Sequence, residues 1–143
     1  MAAATVKGYV AHPVQYLVTE QNGDAHLFCE FVMFLIEEGA LREGDILVVD
    51  NCSFHFGGKN TVLEEVLWES FGILMIPLPP YHPELNPVKC VFGHLVLKLR
   101  KERTRSTVEE EDEFLEVVER TIEGIRYSTV VSEYQHCGYL KNI

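Results

Sequence analysis

Five of the six prolines in this 143-residue chain fall between Pro77 and Pro87. Proline fixes φ and has no amide hydrogen to donate, so this stretch cannot lie inside a sheet and must be a rigid connecting loop. Ahead of it, Ile46-Leu47-Val48-Val49 and the run at 73–76 are short, branched and apolar, which predicts two strands buried on both faces. Between them, Thr61 and Glu64 form a capping box, Val62, Leu63, Val66 and Leu67 supply an apolar face, and Gly72 stops the helix. Upstream, Phe28, Phe31, Val32 and Leu35 recur at helical spacing and predict a core-facing helix over 24–38, with Gly39 just past its end. Residues 6–10 and 14–18, split by Ala11-His12-Pro13, read as strands or a hairpin. After the prolines, Asn86-Pro87 opens a helix with a capping residue and a proline at its first position. Its stripe is Val88, Val91, Phe92, Leu95 and Leu99. Ser106 with Glu109 caps a further helix whose Phe114, Val118, Ile122 and Ile125 face inward, and 132–143 forms a short helical or irregular tail. Strands alternating with helices predict one α/β layered domain over 1–143, with partly parallel strands.

Composition excludes several classes. With 47% hydrophobic and 24% charged residues the chain is neither disordered nor a coiled-coil rod. No run of 18 apolar residues is present to span a membrane, and the first residues lack the basic and apolar regions of a secretory leader. The four cysteines are scattered, with no C-x-x-C pair, so free thiols in a reducing compartment are expected: intracellular, and nuclear if the cell is eukaryotic. A zinc site from Cys52, His55, His136 and Cys137 matches no structural zinc spacing well. A net charge of −10 argues against a strong non-specific grip on DNA, which depends on Lys and Arg displacing counterions from phosphates. The charge is uneven, however. Five of the twelve basic residues (Lys98, Arg100, Lys101, Arg103 and Arg105) fall within eight positions, and 109–123 then carries eight acids against one arginine. These are DNA-contact candidates, although charge runs also arise as plain solvated helix faces.

In open α/β sheets, sites gather beyond the carboxyl ends of the strands. Two segments fall there: Asp50-Asn51-Cys52-Ser53-Phe54-His55 after the first run, and Leu78-Pro79-Pro80-Tyr81-His82-Pro83-Glu84-Leu85-Asn86-Pro87 after the second. Taken singly, an aspartate at a strand end often caps the next turn, and a loop histidine is ordinarily a hydrogen-bonding residue. Taken together and in this order, the segments resemble those of the mariner-type DDE transposases, also called DDE superfamily endonucleases. The likeness runs over about residues 24–100 and includes the approach Gly44-Asp45-Ile46-Leu47-Val48-Val49 and the following Val91-Phe92-Gly93.

That resemblance implies an RNase H-like mixed sheet flanked by helices. It also implies DNA as the substrate of transposition, and a pair of Mg²⁺ (or Mn²⁺) ions about 3.5–4 Å apart held by three carboxylates. Asp50 takes the second acid's position and is the metal-ligand candidate. Asn51, His55, Pro79, Pro80, Tyr81, Pro83, Asn86 and Pro87 match the motifs around it. The third acid's position is held by Lys89, with Glu84 in the proline loop as a lesser alternative. No acid occurs before Glu20, so the family's first strand and its aspartate are expected to be lacking; either residues 6–18 re-pair to close the gap in the sheet, or apolar surface stays uncovered and the chain is marginally stable and prone to association. Asp24 and Asp45 are poor substitutes, one reading as a helix cap and the other lying a turn before its strand. Three readings follow: a transposase-derived domain without nuclease activity, an active metal-dependent nuclease completed by a second copy or another transposase chain, and a non-enzymatic module binding DNA or protein.

Overall fold

The computed structural model describes residues 1–6, 11–17, 24–50, 60–103 and 111–141, excepting the side chains of 60, 61, 102, 103 and 111–113. Its architecture is mixed α/β with small sheets. The chain divides into two compact units, Met1–Ala2 with Gln15–Pro83, and Ala3–Val14 with Glu84–Ile143. A two-stranded ribbon, β1 (Ala2–Ala4) with β2 (Val14–Tyr16), is parted between them. The Thr5 amide donates to Pro13 O and the Leu17 amide to Met1 O, both at 2.9 Å, which is an antiparallel register. The partner of β2 is therefore the alanine run at 2–4, not the predicted strand at 6–10, of which 7–10 lies outside the described residues. Alanine is a poor strand former, so composition carried no signal for β1.

In the first unit, α1 (Ala25–Glu37) forms where the spacing predicts. Asp24 Oδ1 accepts from the Leu27 amide at 2.9 Å, satisfying one of the orphan donors of the first turn. Leu27, Phe28, Phe31, Val32 and Leu35 are buried, and Gly39 follows the helix at φ +67°. Next come β3 (Ile46–Val49), α2 (Asn60–Phe71) and β4 (Leu74–Pro77). β3 and β4 pair in parallel, with Ile46 opposite Leu74 and Val49 opposite Pro77. Leu63, Leu67, Ile73, Met75 and Val49 form the core of this β–α–β piece. Gly72 ends α2 at φ +64°, and a Cβ there would meet Glu43 Cγ at 2.9 Å, so backbone conformation and space both require glycine.

Three expectations for this unit are corrected. The strands are not buried on both faces: Ile46 is 57% exposed, and Val48, Leu74 and Ile76 beside it are exposed too. Successive strand residues point to opposite faces, so a fully apolar run hides which face lies open. Among the described side chains of α2 only Leu63 and Leu67 are buried, while Val62 and Val66 face solvent, because the pair of strands is too narrow to cover a wide stripe. The helix also begins at Asn60, ahead of the expected cap Thr61.

In the second unit, α3 (Pro87–Arg103) packs against both α4 (Glu111–Glu123) and α5 (Tyr127–His136). Val91, Leu95, Ile122, Ile125 and Val130 close its core. Phe92 and Phe114, expected inside, are exposed. The expected cap Ser106 with Glu109 lies outside the described residues, and the tail's helix starts at Tyr127 rather than 132. Two long-range bonds tie the start of the chain into this unit: Tyr134 Oη donates to Ala4 O at 2.7 Å, and His12 Nε2 lies 3.0 Å from Glu123 O. Among the described residues no helix is long and apolar enough to cross a membrane.

Candidate functional site

The parallel register sets Asp50, the first residue of one motif segment, beside Leu78, the first residue of the other. Val49 stands opposite Pro77 at the carboxyl ends of β3 and β4, and the Leu78 amide donates to Val49 O at 2.8 Å. Asp50 and Leu78 therefore leave the sheet side by side, at the end where strand-end sites form. Asp50 is half-buried, with Oδ1 shielded from water. Its neighbours Asn51, Cys52 and His55 lie outside the described residues.

The proline loop leaves β4 with Leu78 buried and Pro79, Pro80, His82 and Pro83 exposed. Tyr81 adopts φ +62°, a left-handed conformation uncommon for an aromatic residue, and its side chain is 99% exposed. No residue pattern in the sequence announced this strained position; sequence reasoning placed Tyr81 only as a motif residue. Pro83–Leu85 then makes one 3₁₀ turn carrying the exposed Glu84.

In the second unit, Asn86 caps α3 as its residue type predicts: Oδ1 accepts from the Val88 amide at 3.1 Å and its carbonyl from the Lys89 amide at 3.0 Å. Pro87 is buried at the first helical position, and Lys89 is exposed on the first turn. Leu85 O accepts from Tyr139 Oη at 2.9 Å, so the end of the chain holds the residue just before this cap. With the partners 54 positions apart in the chain, no local pattern could have revealed that bond. Further along α3, Lys98, Arg100 and Lys101 are exposed; the Arg103 side chain and Arg105 lie outside the described residues. Arg100 also lines an open hollow of about 600 Å³ whose other walls include Phe92, Val96 and Leu97.

The two substitutes for a first acid have structural roles. Asp24 caps α1, and Asp45 Oδ2 accepts from the Arg42 amide at 3.0 Å in the turn before β3. Among the described residues, no three His, Cys, Asp or Glu side chains gather as ligands for a metal ion. The described side chains thus do not compose the carboxylate cluster that the motif resemblance implies, and no chemical step is assigned to Mg²⁺ or Mn²⁺.

Small sheets among helices, with a parallel strand pair that carries Asp50 and the start of a proline-rich loop at one end, define a mixed α/β architecture. Residues 2–111 match the family described as DDE superfamily endonuclease, and the chain belongs to that family. Its members act on DNA and generally use divalent metals. No curated protein and no solved structure matches the chain.

Proposed function

We propose that this chain is a mariner-type, transposase-derived domain on an RNase H-like scaffold that does not cut DNA. The observation that carries the reading is Lys89, exposed on the first turn of α3 where the motif resemblance calls for the third acid. A carboxylate there would sit at the positive end of the helix dipole and add charge to hold divalent ions; an ammonium adds repulsion instead. Asp50, at the carboxyl end of β3, keeps the second acid's position. Glu84 lies on the exposed 3₁₀ turn ahead of the helix, outside the third acid's motif position.

The exposed Lys98, Arg100 and Lys101 support residual contact with DNA phosphates, opposed by the net charge of −10. The domain therefore binds DNA weakly and only at low salt.

The test uses supercoiled plasmid with Mg²⁺ or Mn²⁺. No nicking is expected from the chain, because the ammonium of Lys89 at the third acid's motif position repels divalent ions. Nicking that disappears in Asp50→Ala would overturn the proposal in favour of an active nuclease, and loss in Glu84→Ala would identify the replacement acid. Low-salt DNA retention should vanish when Lys98, Arg100 and Lys101 become alanine; retention unchanged by those substitutions would remove them as the contact.

A further inference from the structure

α3 and α5 face one another through two polar rungs, one helical turn apart. His94 and Glu133 form one, with Nε2 and Oε1 at 2.7 Å. Cys90 lies four residues before His94 on α3, and Cys137 lies four residues after Glu133 at the end of α5. Residues four apart share a helix face, so Cys90 and Cys137 lie on the faces that carry His94 and Glu133 and can form a second rung beside the first. The structure agrees: both are free thiols, within hydrogen-bonding reach of each other. The backbone on the Cys137 side is fixed, since its amide donates to Glu133 O at 2.9 Å and Gly138 follows at φ +84°. Cys137 is 8% exposed and Cys90 half-buried, so the pair is open to reagents from the Cys90 side only.

We infer that Cys90 and Cys137 are a reversible dithiol–disulfide pair, oxidised by low-molecular-weight disulfides of the glutathione class, which locks α3 to the end of α5. Cys90 attacks the reagent's sulfur–sulfur bond, forming a mixed disulfide and releasing one glutathione. Cys137 then attacks the Cys90 sulfur and releases the second. The protein gives up two electrons, the glutathione disulfide is reduced to two thiols, and the two protein thiol protons end on them. Burial pushes the Cys137 thiol up to about 11, with Cys90 beside it adding to the effect. Burial and then the Glu133 carboxylate raise Cys90 as well. Both stay protonated at neutral pH, so the exchange is slow, in keeping with a pair that responds to sustained oxidation. Cys90 adjoins Lys89, so the link would fasten the turn that carries the third acid's position.

The test equilibrates the full chain in buffers of graded reduced-to-oxidised glutathione, quenches in acid, alkylates free thiols and maps the peptides by mass. Positions 90 and 137 are expected to lose alkylation together, with one linked peptide joining them and a chain mass lower by two hydrogens. Excess reduced glutathione should restore both. Cys29→Ser should leave the link intact, whereas Cys90→Ser and Cys137→Ser should each abolish it. The oxidised chain should also melt at a higher temperature than the reduced one. Alkylation persisting at both positions at every ratio would overturn the inference, as would a dominant link from either to Cys29 or Cys52. The peptide map of the unsubstituted chain decides the matter even if Cys137→Ser fails to fold.

Discussion

His94 Nε2 meets Glu133 Oε1 at 2.7 Å across α3 and α5, with the histidine side chain half exposed and the glutamate side chain 13% exposed. With the histidine half open to water, solvent screening keeps such a pair to about 0.2–1 kcal/mol. A double-mutant cycle of His94→Ala and Glu133→Ala in urea unfolding should return a coupling of that order. A coupling near zero would show that the rung is geometric only.

Lys89 stands where helix electrostatics prefer an acid. Lys89→Glu should raise unfolding stability by about 0.3–1 kcal/mol at low salt, an advantage that shrinks as salt is added. Urea midpoints at two ionic strengths would check this. A destabilised variant would mean that the lysine makes a favourable contact in the folded chain.

Leu67 has no exposed surface and anchors the helix between the two parallel strands. Leu67→Ala should cost about 2–5 kcal/mol, the usual range for a buried leucine replaced by alanine. For the smaller Val62, 59% exposed on the same helix, Val62→Ala should cost far less. Comparing their denaturation midpoints tests whether the first unit is organised around the inner face alone.

Tyr134 ties the stability of the fold to alkaline pH. Burial, followed by its neighbours Tyr139 and Cys137, pushes its phenol from 10 up to about 12. A raised folded-state value favours the neutral form, so this contribution to stability is complete below pH 10 and is lost as pH climbs towards 12. Ultraviolet titration should show a last-ionising tyrosine that is absent in Tyr134→Phe. At neutral pH that variant should lose about 1 kcal/mol with the bond to Ala4 O. An unchanged titration curve would disprove the assignment.

How far the chain could be read in advance depended on whether the controlling physics was local. Asp24, Gly39, Gly72, Asn86 and Pro87 set helix ends through their own backbone preferences, and the structure has them in those roles. The strand–helix–strand order around Asp50 was legible for the same reason. Burial was less so. Ile46, Val48, Leu74 and Ile76 look like core because every residue in their runs is apolar, and only the number of strands present decides that one face stays open. Residue types also showed that Asp50 follows a strand and that Lys89 lies on the first turn of a helix, but the left-handed turn at Tyr81 and the bond from Tyr139 to Leu85 depend on tertiary placement that local pattern does not encode.

That last bond has a practical consequence for anyone handling the protein. Proteolysis just before residue 139 would strip away the phenol and untether the segment just ahead of the Asn86 cap. Preparations nicked there should therefore not be treated as equivalent to intact ones.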